Sequence, residues 1–325
     1  MVDFRYHLVS LVSVFLALAI GVILGAGPLQ NSIGTALSNR VEALSDTNAT
    51  LASQNEGLTK SQDAQNQAMA QLIPSLSKDA LAGKAVAFVV FPGAQDDVVS
   101  QARDAVSKAG AKITGAMNIN EAWTSSANTA FRTAFADQVK SYVASKPEAQ
   151  DPNSVLGAAL AQVVISGTKD PANADLPNLL TGAKTPLVTL DDLGAKADAV
   201  VIITADTELP GTPNKMNPEQ KAQMEYDAKA LAGVAEIVAT KAPTVVFGSA
   251  DSANDVARVV REAKSKASTV DSPALTVSQL NVVLALVQEL AGKEVNLGFD
   301  DGVSAAVGPL EKVPAPAATA KADAK

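Results

Sequence analysis

AVAFVVF, residues 85–91, places seven apolar residues in a row, and Pro92-Gly93 follows at once. A run this long with no polar alternation reads as a strand buried on both faces and ended by turn residues. Downstream, Asp96–Ala109 has helical spacing and Lys112–Met117 is a second, weaker strand. AVVIIT (Ala199–Thr204) and TVVF (Thr244–Phe247) repeat the buried-strand signature. Met216–Thr240, Ser252–Ser265 and Val277–Ala291 carry helical patterns. Between Thr124 and Leu190 the signal is weaker, with helices near Asn128–Ser145 and Ser154–Val163 and a strand at Leu187–Leu190. Strands apolar on both faces and separated by helices need crossover connections, hence a mainly parallel sheet with helices on both sides. The predicted fold class is α/β, a doubly wound, Rossmann-like domain over residues 83–312. The Pro/Ala/Lys-rich tail, residues 313–325, is expected to be disordered.

Upstream, LVSLVSVFLALAIGVILGA (Leu8–Ala26) runs nineteen residues without a charge. About twenty apolar residues in a helix span the hydrocarbon of a bilayer, where a lone segment must be helical to satisfy its own backbone. Residues 1–7 are read as a cytoplasmic N-terminus and residues 8–29 as a transmembrane helix, with Gly27-Pro28 as its stop signal. A cleavable signal peptide competes with this reading. The run is longer than an ordinary signal core, and Leu24 stands where cleavage needs a small residue, so an uncleaved anchor is preferred. Arg5 precedes the helix and the first basic residue after it is Arg40. The positive-inside rule then puts the N-terminus in the cytoplasm and the α/β domain outside the cell membrane. Ala17, Gly21 and Gly25 recur at every fourth position. Such a stripe lets two membrane helices pack closely, although small residues scattered through any apolar helix give the same pattern.

A heptad fills residues 30–75. Leu37, Leu44, Leu51 and Leu58 recur at every seventh position, and with these at d, Val41, Asn48 and Asn55 fall at a. Leu at d with Asn at a suits a two-stranded coiled coil, because Asn pairs buried across a dimer fix its register. The frame weakens through Gln62, Gln65, Met69 and Leu72, and Pro74 is expected to end the helix. The prediction is a homodimeric stalk. The alternative is an amphipathic helix folded back on the domain, disfavoured by the Gln, Asn, Ser and Thr that fill the faces off the seam.

Little in the chain points to chemistry. The formal net charge is −8 and no long basic run occurs, so a nucleic-acid partner is not expected. With no cysteine and His7 as the one histidine, the chain cannot build a disulfide, a thiolate metal site or a pair of imidazole ligands. After the first strand, FPGAQDD has one glycine, with acids where a dinucleotide site needs G-x-G-x-x-G. Asp96-Asp97, Asp191-Asp192 and Asp300-Asp301 read as caps and turns, and Asp251 as the cap of the helix that follows it. Ser75-x-x-Lys78 and Ser166-x-x-Lys169 lack the companion elements of serine–lysine acyl enzymes. Copper(I) sites draw on Cys and Met and copper(II) sites on His; Met216 and Met224 share a helical face but read as packing residues. No catalytic, metal-binding or cofactor-binding residue is predicted, and no enzymatic activity.

The stretch VDFRYHLVSLVSVFLALAIGVILGAGPL (Val2–Leu29) resembles the start of the mycobacterial copper transport protein B (MctB-like) family of actinobacteria. STVDSPALTVSQLNVVLALVQELAG (Ser268–Gly292) resembles that family's C-terminal region. The family name implies copper efflux or a channel role at the cell envelope. The corynebacterial members, called SteB and the nearest in likeness, are implicated in daughter-cell separation. That branch implies a membrane-anchored dimer whose exterior part engages a cell-wall hydrolase, with a cytoplasmic partner, SteA. No metal ligand carries over onto this chain. The expected function is therefore a single-pass envelope scaffold or regulator that acts in cell separation by engaging a peptidoglycan hydrolase through its coiled coil. Copper efflux or homeostasis is the alternative. The expected partners are a second copy, the hydrolase or its coiled-coil segment, a SteA-like division protein and membrane lipid.

Overall fold

The computed structural model describes residues 4–26, 28–145, 151–173, 175–182, 184, 186–206 and 217–313. The tail from 314 onward and Met216 lie outside the described residues. Two compact units divide the chain, Met1–Gln65 and Asn66–Lys325.

The first unit is helical. Helix α1 (Phe4–Ala26) contains a 20-residue stretch, Phe4–Ile23, of mean hydropathy 2.3, long and apolar enough to cross a membrane. Helix α2 (Pro28–Leu76) runs for 49 residues, roughly 70 Å at the α-helical rise. Pro74 does not end it as expected, but lies inside it. A proline forfeits one N–H bond, and the helix closes beyond it at Ser77, whose N–H and hydroxyl both donate to Ile73 O at 2.9 and 2.8 Å.

The second unit takes in the last turns of α2 and an α/β sandwich. Its sheet orders as β3-β2-β1-β4-β5-β6-β7. The strands are β1 (Ala85–Val90), β2 (Lys112–Ile119), β3 (Val188–Asp191), β4 (Ala199–Ile203), β5 (Thr244–Phe247), β6 (Ser268–Val270) and β7 (Asn296–Leu297). Every pairing is parallel except β2 with β3. The three strands read most strongly in the sequence, β1, β4 and β5, are adjacent at the centre, where both faces are covered.

Alternate strand residues feed two cores. Ala87, Val89, Val200, Ile202 and Val246 face one layer, built from α4 (Thr129–Val139), α5 (Pro152–Ser166), α6 (Leu176–Thr181), α7 (Pro218–Ala239) and α8 (Val256–Glu262). Val86, Phe88, Val201, Ile203 and Phe247 face the other, built from α3 (Asp96–Lys108) and α9 (Thr276–Leu290). Met69 and Ile73, from the end of α2, join this second layer. Asn66 Oδ1 also accepts the N–H of Thr276 at 3.0 Å.

Helix starts follow local chemistry. Asn217 and Gln220 form a reciprocal capping box at α7, at 2.8 and 2.9 Å. Asp151 caps α5 by accepting from Asn153 and Ser154. The expected cap Asp251 is a correction: α8 begins at Val256, four residues later than predicted, with Asp255 in the cap position. Asp255 accepts from the N–H of Ser252 at 3.0 Å, so residues 252–255 close as a turn instead of a helical turn.

Glu289, on α9, couples a helix to the amino ends of two strands. Its Oε1 accepts from the N–H and hydroxyl of Ser268 at 2.8 and 2.6 Å, and its Oε2 from the N–H of Thr244 at 3.4 Å. Burial outweighs these bonds and pushes the carboxyl from its ordinary 4.5 up to about 7. Between those values the folded chain holds a proton that the unfolded chain has lost, so stability falls as pH rises from about 4.5 to about 7. Below the lower value both states are protonated and the effect vanishes. The expected loss across the window is on the order of 3 kcal/mol. Denaturant unfolding at the two ends of the window measures it, and Glu289→Gln should flatten the dependence. An equal slope in that variant rules out Glu289 as its source.

Candidate functional site

The predicted stalk residues all lie on one uninterrupted helix, and from Thr35 to Gln65 that helix is exposed throughout. Leu37 is 61% exposed, Val41 59%, Leu44 64%, Leu51 55% and Leu58 70%. Asn48 and Asn55 stand on the same seam and are exposed. A straight helix turns a seven-residue repeat by about 20° per heptad, so a partner must be wound around this seam to stay on it. Residue Leu72 continues the d positions and is 54% exposed, whereas Ile73 beside it is 8% exposed in the core. The end of α2 thus docks on the α/β domain by one edge and leaves the d position free.

Ala17 and Gly21 lie on the exposed surface of α1, and a side chain at Gly21 would meet nothing within 4 Å. Gly25 falls in the same helix.

A second feature, absent from the sequence reading, sits at the carboxyl edge of the sheet. β1 pairs with β2 on one side and β4 on the other, so the connections leaving β1 and β4 diverge and open a crevice, as in other doubly wound sheets. The cavity is about 470 Å³. Phe91, Pro92 and Gly93 after β1, Glu121 and Thr124 to Ser126 after β2, Ala205 after β4, one side of α7, and Asn254 and Val256 form its walls. Gly93 adopts φ +79, and a Cβ there would come within 3.2 Å of Ala205 Cβ, which explains a glycine at the narrow end. The loop after β2 is held from behind by Arg132, 2% exposed, whose guanidinium donates to Ala122 O, Ser125 O, Thr129 Oγ1 and Tyr226 Oη.

A third cluster lies at the carboxyl ends of β5, β6 and β7. Asp271 is fully buried and pairs with Arg261 at 2.9 Å, while also accepting from the N–H of Phe299 at 2.7 Å and of Asp300 at 3.3 Å. Burial, then the neighbouring Asp271 and Asp251 carboxylates, raises Asp300 to about 6. The acid pairs divide accordingly. Asp96 and Asp97 open α3 and Asp191 pairs with Arg103 at 2.9 Å, whereas Asp300 belongs to the buried knot around Asp271. Ser166 is committed to Gln162 O and Asn173 Nδ2, at 2.7 and 2.8 Å. Met224 Sδ accepts from Asn254 Nδ2 at 3.4 Å. Among the described residues no three of His, Cys, Asp and Glu are grouped to hold a metal ion.

A family model described as "Copper transport outer membrane protein, MctB" matches residues 1–307. The chain belongs to the MctB family. Curated relatives called "Copper transporter MctB" from Mycobacterium bovis and from two strains of Mycobacterium tuberculosis are each 31% identical to it over 121 residues. That stretch is 37% of this chain and 38% of each relative, so the similarity spans well under half of either protein. Copper stands in the names of the family and of these relatives; cell separation does not. The MctB family description speaks of the outer membrane. In this member the described strands form an open, mostly parallel sheet, preceded by one apolar helix that suits a membrane anchor.

Proposed function

We propose that this MctB-family chain serves copper homeostasis at the cell envelope as a membrane-anchored scaffold, paired through its stalk, without catalysis and without conducting copper through its own α/β domain. The N-terminus lies in the cytoplasm and the α/β domain outside. The carrying observation is the bare Leu37–Leu58 seam on a continuous helix that follows one apolar segment. An apolar stripe left in water is stabilised by a partner helix, and a second copy supplies the matching Asn48 and Asn55. One membrane helix per chain does not enclose a pore. The copper assignment draws on the family and its relatives, and the ligand-poor composition favours an indirect role through envelope partners.

Deleting the chain from its host should raise copper sensitivity, and the full-length chain should restore growth in copper. A deletion strain as copper-tolerant as its parent overturns the copper reading.

The same seam favours a second reading, in which the stalk engages the coiled-coil segment of a peptidoglycan hydrolase during cell separation, with a SteA-like partner on the cytoplasmic side. Scoring septal separation in the deletion strain, in medium without added copper, distinguishes the two. Unseparated cells of normal copper tolerance move cell separation to first place.

A further inference from the structure

We propose that two copies stay paired beyond the stalk, along the turns of α2 that lie on the α/β domain, with Leu72 set against Leu72 and Leu76 against Leu76. This rests on the reading that the stalk pairs, and adds where the coil ends and what that does to the domains. The surface is the seam side of the last turns of α2. Its occupant is the same surface of a second copy.

The heptad register carries the argument. Fourteen residues beyond Leu58 the d line reaches Leu72, and fourteen beyond Gln62 the a line reaches Leu76. Both stand on the helix that carries the stalk, which runs unbroken to Leu76. Gln62 and Gln65 form a polar stretch in between, and Leu72 and Leu76 return the seam to leucine. A helix that only had to end on its own domain would present polar residues on its free side. Here that side carries Leu72, 54% exposed, and Leu76, 37% exposed. Pro74 falls at f, on the side of the helix away from the seam, where its ring meets no partner helix.

The domain leaves room for this partner. It holds α2 through Asn66 and Ile73 at e and Met69 at a. Asn66 Oδ1 accepts the N–H of Thr276, and the other two pack on the layer of α3 and α9. Positions d and e lie about 100° apart around the helix, so the domain takes one flank of the seam and the partner helix the other. Both chains enter the stalk from one membrane, so their helices run parallel and like residues meet. Leu72 and Leu76 do not by themselves bring two chains together. The leucines upstream already hold the chains, which makes this last contact an intramolecular one. The two domains are then fixed to each other at the end of the coil instead of swinging separately.

The chain has no cysteine, so one introduced thiol reads the contact directly. Leu72→Cys is compared with Leu44→Cys, the stalk reference, and with Gln67→Cys, exposed at f, the control off the seam. Each is made in the full-length chain in detergent and oxidised with diamide. A disulfide forms only where the two Cα atoms come within about 7 Å. On a non-reducing gel Leu72→Cys should become a covalent dimer as completely as Leu44→Cys, and about tenfold or more faster than Gln67→Cys. Leu72 is exposed in the single chain, so the substitution should leave the thermal midpoint in place. Linking at Leu44→Cys without Leu72→Cys overturns the inference and keeps the stalk, leaving the domain end of the seam to the helix of another protein. Linking at Gln67→Cys as fast as at Leu72→Cys also overturns it. Linking at neither seam position overturns the stalk reading with it.

Discussion

Replacing Leu44, Leu51 and Leu58 together with Asp is expected to convert a two-chain stalk into separate chains. Each leucine at a d position removes apolar surface from water when a partner helix covers it. At about 1.5–3 kcal/mol per buried side chain, three positions on each of two strands amount to roughly 10 kcal/mol or more. That exceeds what the rest of the seam can supply, since Asn48 and Asn55 at a contribute register more than affinity. The introduced carboxylates add like-charge repulsion across the seam. Light scattering on the full-length chain in detergent should read twice the chain mass for the parent and one chain for the variant. The domain itself should keep its thermal midpoint, because these three side chains are 64%, 55% and 70% exposed in the single chain. An undissociated variant would place the association elsewhere, with the Ala17, Gly21 and Gly25 stripe next in order.

Asp271→Ala is expected to be the most damaging single change in the α/β domain, costing about 3–5 kcal/mol. The carboxylate is fully buried and its partner Arg261 is 5% exposed at the side chain, so removal strands a buried guanidinium. The loss extends beyond the ion pair. Asp271 also accepts the N–H groups of Phe299 and Asp300 and the hydroxyl of Ser272. Arg261 in turn donates to Thr269 Oγ1 and Asp301 O, tying α8 and β6 to the loop after β7. Gly298, at φ +136, would put a Cβ within 1.9 Å of Asp271 Oδ1, so the loop closes on this carboxylate only because that residue is glycine. Denaturant unfolding measures the cost, and a loss below about 1 kcal/mol would show that water replaces the carboxylate at this site.

The central strands were legible because burial on both faces leaves a direct trace: seven apolar residues at 85–91, and shorter runs at 199–203 and 244–247. The β6–β7 edge of the sheet was not, whereas the strand expected at 187–190 on the opposite edge is present as β3. Ser268–Val270 and Asn296–Leu297 are strands by pairing alone, three and two residues of mixed polarity whose identity comes from the neighbour they extend. Helix α6 (Leu176–Thr181) is a single short segment in the middle region where periodicity has no room to show. Strand β3 runs antiparallel, a direction set by the connection from α6 and invisible in four residues.

By itself, then, the sequence determined the elements whose pattern repeats over many residues: an apolar segment long enough for a membrane, a heptad carried on one unbroken helix, and the α/β class with its buried central strands. These follow from local periodicity and hydrophobic length, which need no knowledge of what lies across the fold. Tertiary structure alone decided the chemistry of the carboxyl edge. Glu121 and Asp227, both on the crevice wall, are 106 positions apart in the chain, and Arg132, Asp271 and Glu289 read as ordinary charged residues until the fold buries them. Their surroundings depend on which strands lie next to which, and on desolvation that arises only when distant segments close over them.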